Sequence, residues 1–170
     1  MVCVTVCLRA RGARLLVERI GDLRAAVRET LLERPVEVLA WVVMPDHWHA
    51  VWQLPEGDRG YSSRVGAIKG RFSRRVQFIA PSAGGSGSAP PDNGPRVVAG
   101  YGALKCTLRP GVRGIWQRRF YERHARGEAN MRAMTRHVHL NPVKHGYVAR
   151  AEDWPFSTVH REIRAGRWDP

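Results

Sequence analysis

The sequence predicts an α+β domain, and three observations carry the prediction. Two strand-like runs, 36–43 and 50–54, are joined by a tight turn or bulge at Pro45-Asp46. Apolar residues recur at helical spacing after Asp22, after Ser62-Ser63 and from Glu128 onward. Proline and glycine punctuate the chain between these segments, at Pro35, Leu54-Pro55-Glu56-Gly57-Asp58 and Pro142.

In chain order, Val2-Cys3-Val4-Thr5-Val6-Cys7-Leu8 alternates valine with smaller or polar residues and reads as a first strand. It has no basic leader or small-residue cleavage site, so it is not read as a signal peptide, and a cytoplasmic location is expected. Asp22 is a suitable N-cap for a helix whose Leu23, Ala26, Val27, Thr30 and Leu31 share a face, and Pro35 stops it. The two strands follow. Ser62-Ser63 can cap the next helix, with Val65, Ile68, Phe72, Val76 and Ile79 as its apolar stripe. Residues 81–100 are rich in Gly, Ser and Pro and read as a flexible insert, which extends to about residue 113. Neither flank has enough elements to close a core alone, so residues 1–170 are expected to form one domain. Gly114-Ile115-Trp116-Gln117-Arg118-Arg119-Phe120-Tyr121 reads as a basic, aromatic strand. Glu128 to Asn141 reads as a helix that buries Met131, Met134 and Val138 and ends at Pro142. Asp153-Trp154-Pro155-Phe156-Ser157-Thr158 reads as an extended segment packed by its aromatics.

Composition narrows the function. The 170 residues suffice for a hydrophobic core, and no apolar run approaches the ~20 residues of a membrane span. Three cysteines with no paired spacing point to reduced thiols. The net charge of +13 predicts a polyanionic partner, with nucleic acid ahead of a membrane surface. Arg64, Arg71 and Arg75 fall along one helix flank, with Lys69 and Arg74 nearby. Charge of a single sign there favours phosphate contact over a merely solvated face. Arg118 and Arg119 beside Trp116 and Phe120 suit phosphates together with stacked bases. Lys144 is a further cation, for phosphate contact or for solvation alone.

The residues that bear chemistry lie at Pro45-Asp46-His47-Trp48-His49. Alternation along a strand points His47 and His49 the same way, where two imidazoles offer half a site for a divalent ion. Trp48 then faces the core. Asp46 is read as a turn former. His137 and Asn141 lie four apart, on one helix face, and Asn141 can serve as the helix C-cap before Pro142.

Five blocks, in order, resemble a known family: Trp41-Val42-Val43-Met44-Pro45-Asp46-His47-Trp48-His49, Leu54-Pro55-Glu56-Gly57-Asp58, Gly114-Ile115-Trp116-Gln117-Arg118-Arg119-Phe120, Asn141-Pro142-Val143-Lys144-His145-Gly146 and Asp153-Trp154-Pro155-Phe156-Ser157-Thr158. The chain resembles the REP-associated tyrosine transposases, IS200-like members of the His-hydrophobic-His single-strand endonucleases. The resemblance runs from about Val4 to His160, apart from the insert. It implies a ferredoxin-like α+β fold, with a central antiparallel sheet and helices packed on it. It implies single-stranded hairpin DNA as the partner, and Mg²⁺ or Mn²⁺ held by His47, His49 and Asn141. It also implies strand cleavage by a tyrosine one helical turn before the third ligand, leaving a 5′-phosphotyrosine link. Here that position holds His137, so transesterification is expected to be impaired. Tyr121 is the leading substitute by context, with Tyr147 and Tyr101 behind it. The start also lacks a basic aromatic stretch usual in the family. The alternatives are a non-catalytic hairpin DNA- or RNA-binding protein and a small metal-dependent hydrolase built on His47, His49, His137 and His139. Both monomer and homodimer are open.

Overall fold

The computed structural model describes residues 1–77 and 114–169. The expectations placed on Ile79, the insert at 81–113, Tyr101 and Cys106 lie outside the described residues.

Strand β1 (Val2–Cys7) leads through a short helix α1 (Leu15–Glu18) into α2 (Ile20–Glu33). Strands β2 (Glu37–Val43) and β3 (His47–Gln53) follow, then helix α3 (Tyr61–Gln77) and the short strand β4 (Tyr121–His124). The chain ends with α4 (Glu128–His139), α5 (Asn141–Lys144), a 3₁₀ turn (Ala151–Asp153) and α6 (Val159–Arg164). The sheet order is β2-β3-β1-β4, with every neighbouring pair antiparallel. Together with the β-α-β-β-α-β order of its first elements, this is the ferredoxin-like α+β arrangement that the resemblance implies.

Alternation divides the sheet into two chemically distinct faces. Val2, Val4 and Val6 of β1 and Trp48, Ala50 and Trp52 of β3 point to one side. There they meet Leu23 and Ala26 of α2 and Val65, Ile68 and Phe72 of α3, all buried. Trp48 is fully buried and stacks on Trp41 with ring centroids 4.6 Å apart. The other side carries Ala40, Val42 and Val51, covered by Met134 and Val138 of α4. Cys3, Thr5, Cys7, His47 and His49 belong to this second side by register, because Thr5 pairs with His49 and Cys7 with His47.

Several boundaries differ from those read in the sequence. Helix α2 begins at Ile20, so Asp22 sits inside its first turn and accepts a hydrogen bond from Arg19 Nε at 2.7 Å. Helix α3 begins at Tyr61, ahead of Ser62-Ser63, and Asp58 Oδ1 accepts from the Gly60 amide at 2.6 Å just before it. Pro142 does not end the structure after α4. It occupies the first turn of α5, where its missing N–H has no intrahelical partner to lose. The segment from Gly114 forms no long strand. It buries Ile115 and Trp116 and makes a single bridge, Leu8 with Trp116, before β4.

The tail covers the open edge of the sheet, which would otherwise offer unpaired groups to another chain. Val43 N donates to Phe156 O at 2.9 Å, Thr158 N to Trp41 O at 2.8 Å, and Trp41 N to Thr158 Oγ1 at 2.8 Å. His139 locks this tail from α4. It is buried, with Nε2 3.1 Å from Thr158 Oγ1 and its ring against Trp168. Burial pushes its pKa down to about 4. The unfolded chain, titrating near 6.5, therefore binds the proton first, and stability falls as pH drops through that window. We expect a loss of up to about 3 kcal/mol between pH 7 and 4 from this group, levelling off below 4. Urea unfolding at pH 6.5 and 4.5 checks it: His139→Asn should flatten the slope.

Candidate metal and nucleic-acid site

The second face of the sheet gathers the groups that bear chemistry. His47 and His49 lie side by side, ring centroids 4.9 Å apart and nearly perpendicular. Each imidazole is held through one nitrogen. His47 Nδ1 lies 2.6 Å from the Asp46 carboxylate, and His49 Nδ1 lies 2.7 Å from Thr5 Oγ1. Such partners fix the tautomer and turn the other nitrogen toward a ligand.

Asp46 is itself braced. Its Oδ2 accepts from the Gly12 amide at 2.9 Å and lies 3.3 Å from Arg11 Nε. Burial acts to raise the Asp46 pKa, but the hydrogen bonds from His47 and Gly12 and the Arg11 charge outweigh it and hold the carboxyl below its usual range. Asp46 therefore remains an acceptor for His47 Nδ1–H. The sequence offered it only as a turn residue.

Asn141 closes the cluster from the start of α5, 3% exposed. Among the described residues, His49 Nε2 and Asn141 Oδ1 are buried polar atoms with no hydrogen-bond partner. Buried polar atoms without a partner are costly, and a cation would satisfy both where His49 carries its proton on Nδ1, toward Thr5. Burial, followed by the nearby His47, His137 and His145 charges, drives the His49 pKa down to about 3, with the Asn141 amide opposing. His49 thus stays neutral, with a lone pair for a cation, across the physiological range. Among the described residues no three His, Cys, Asp or Glu side chains come together as a metal cage. The groups that could hold an ion are instead two imidazoles and an amide oxygen. Three such donors would leave a divalent ion open to further oxygen ligands.

Beside these residues runs a cleft of about 560 Å³ whose walls include Thr5, His49, Tyr121, Arg123 and His137. Register explains the grouping: His49 pairs with Thr5, and Thr5 with Tyr121, so the three form one row across β3, β1 and β4. Tyr121 is 70% exposed at its open end. His137 looks into the cleft from α4. Burial, then Lys144 and Arg123, lowers its pKa, so it too is neutral at pH 7.

The comparisons with known proteins give the family and the fold. The chain is 35% identical over 162 residues to the REP-associated tyrosine transposase of Escherichia coli K12, covering 95% of this chain and 78% of that protein. It belongs to this family. No family model matches the chain. A solved structure of a REP-associated tyrosine transposase bound to a REP hairpin superposes with a TM-score of 0.75 at 34% identity, over 99% of this chain and 81% of that one.

Within this REP-associated transposase fold, the other residues singled out in the sequence are placed unevenly. Arg118, Arg119 and Lys144 are exposed and available. Arg64, Lys69, Arg71, Arg75 and Trp116 lie on the α2–α3 side, across the sheet from the histidines. Arg64 is 4% exposed, and it donates to Arg34 O at 2.9 Å, Pro35 O at 3.0 Å and Asp58 Oδ2 at 2.6 Å. Arg71 and Arg75 pair with Glu33 and Glu29 of α2. Lys69 Nζ donates to Gln117 O at 2.7 Å, and burial lowers its pKa. Trp116 is buried, and its Nε1 donates to Lys69 O at 3.1 Å, so its face is closed to bases. The one-sign stripe read along α3 thus meets acidic partners supplied by α2. The hydrolase built on four histidines also fails, because His139 turns away toward Thr158 and Trp168.

Arg64→Ala is expected to destabilise the fold by about 2 kcal/mol, because it strands the carbonyls of Arg34 and Pro35. The salt dependence of nucleic-acid binding should not change. Denaturant unfolding together with a salt titration of binding checks both.

Proposed function

We propose that this chain binds single-stranded hairpin DNA at a divalent-metal pocket formed by His47, His49 and Asn141. We further propose that it lacks the helix-borne nucleophile of the family. The observation that carries this reading is the pair of buried, unpartnered atoms, His49 Nε2 and Asn141 Oδ1, beside a His47 ring oriented by Asp46. A bound Mg²⁺ or Mn²⁺ would polarise a phosphate and offset charge on its oxygens. The protein's own groups do the rest. Asp46 and Thr5 hold the two imidazoles in register through their Nδ1 atoms. Arg11, Arg123 and Lys144 line the approaches with positive charge, and Arg118 and Arg119 extend it along the loop before β4. His137 occupies the position where the resemblance places a tyrosine. A histidine there leaves no phosphotyrosine, so the strand is bound and positioned without transfer to α4.

One observation favours a second reading. Tyr121 stands in the same sheet row as His49 and walls the same cleft as neutral His137. Its hydroxyl could attack the phosphorus, passing its proton to the His137 ring while the strand's 3′-oxygen departs.

Fluorescence anisotropy with a labelled hairpin, with Mn²⁺ and with chelator, tests the first reading: metal-strengthened binding preferring the hairpin over an unstructured strand is expected. Equal affinity for both would remove it. The second reading is checked on a denaturing gel, where a covalent adduct must disappear in Tyr121→Phe. Cleavage with no adduct would assign the attack to water.

A further inference from the structure

The cluster does not end at the metal pair. An aromatic series leaves it on the side away from Tyr121. The His47 ring meets His145 at 5.4 Å, His145 meets Tyr147 at 6.4 Å, and Tyr147 meets Trp154 at 5.4 Å between centroids. Exposure changes along it. His47 is buried, His145 is exposed, Tyr147 is 46% exposed and Trp154 is half-buried. Trp154 is anchored, since its Nε1 donates to Val43 O at 2.9 Å. The backbone on which Tyr147 sits is also fixed, by its own amide donating to Pro142 O at 2.9 Å and by the Gly146 amide donating to Val143 O at 2.9 Å. Gly146 has φ +70°, a conformation that favours glycine, and this lets the chain turn sharply between the two rings. Two open rings are therefore held between a buried imidazole and a half-buried, anchored indole.

We propose that His145 and Tyr147 form a stacking ledge for unpaired nucleobases of the DNA strand that runs out of the His47–His49–Asn141 pocket. The occupant is chosen by charge and continuity. Lys144 precedes His145, and Arg11 lies over the Asp46–His47 pair, so cations flank the rings where a backbone would pass. The chain as a whole carries +13, which disfavours a basic or neutral protein segment. The series also begins at a proposed metal ligand, so a base on the ledge belongs to the strand whose phosphate is held there. Stacking on a ring reads the π-face common to every base, and the ledge therefore supplies affinity and strand direction more than sequence.

This inference rests on the hairpin-DNA reading, and the experiment separates the two. Three probes are used: a blunt hairpin, the same hairpin with an unpaired tail on either side, and a short unpaired oligonucleotide. The last two carry 2-aminopurine in the unpaired part, whose fluorescence is quenched on stacking. Wild-type protein with Mn²⁺ is expected to quench one tail. Tyr147→Ala should weaken binding of that tailed hairpin by about 5- to 150-fold and restore its fluorescence. Blunt-hairpin affinity should not change. Tyr147→Leu keeps apolar cover on Trp154 but lacks a π-face, so it should behave as Tyr147→Ala, whereas Tyr147→Trp should retain quenching. Equal losses for blunt and tailed hairpins, or no quenching with any probe, overturn the ledge. Blunt-hairpin binding without tail quenching leaves the hairpin reading standing alone. Quenching of the free oligonucleotide without any hairpin preference leaves the ledge and removes the hairpin.

Discussion

His49→Ala is expected to lower the affinity for Mn²⁺ by at least about 100-fold, to the point where titration calorimetry records no site. The argument is one of donors. His49 contributes a neutral nitrogen already freed from solvent, and its desolvation is met in the folded protein whether or not an ion is present. A vacancy at that position leaves one imidazole and an amide oxygen, too few to compete with water. Loss of a group that merely orients a ligand typically costs 10–100-fold, so loss of the ligand itself must exceed that range. Asp46→Ala should accordingly fall inside it, because His47 would remain but with its ring free to turn. If His49→Ala kept wild-type Mn²⁺ affinity, the histidine pair would be a structural element of the strand and no more. The comparison needs matched folds, which near-UV circular dichroism of the metal-free proteins supplies.

The second large effect concerns stability. Trp48→Ala should destabilise the protein by about 3–5 kcal/mol in urea unfolding. That is a substantial part of the 5–15 kcal/mol typical of a domain. Trp48 is fully buried, stacks on Trp41 at 4.6 Å and lies 6.1 Å from Trp52. The same substitution should disturb metal binding, since His47 and His49 flank it on the strand. Trp48→Phe should retain most of the stacking and cost distinctly less.

These two effects mark how the sequence could be read. The His-Trp-His alternation separates the two faces in advance: odd residues to one side of the sheet, the even one to the core. Strand period alone decides that, so it was legible. Asn141 was legible only beside the resemblance, because four-residue spacing from His137 says nothing about a strand far away in sequence. Asp46 was misread because a carboxylate after proline looks the same whether it forms a turn or orients an imidazole. Its partner Gly12 lies in a loop 34 residues away. Arg64, Arg71 and Arg75 were misread for a related reason. Periodicity placed them on one flank of α3, but their acidic partners come from α2 and from the loop before α3, contacts that exist only after folding. His145 and Tyr147 showed no periodic signal at all, since a glycine with positive φ separates them. Tyr121 could be joined to His49 only through the register of β1 with both neighbours.

The central claim is that the metal pocket is intact and that the helix position opposite it lacks its nucleophile. His137→Tyr tests both halves at once. Position 137 is exposed and helical, so the substitution is tolerated by the fold. Incubated with labelled hairpin DNA and Mn²⁺ and run on a denaturing gel, wild-type protein should give no covalent adduct through α4. His137→Tyr should give one that vanishes when His49→Ala is added. A wild-type adduct that persists in Tyr121→Phe, or none in His137→Tyr despite full hairpin binding, would contradict the account.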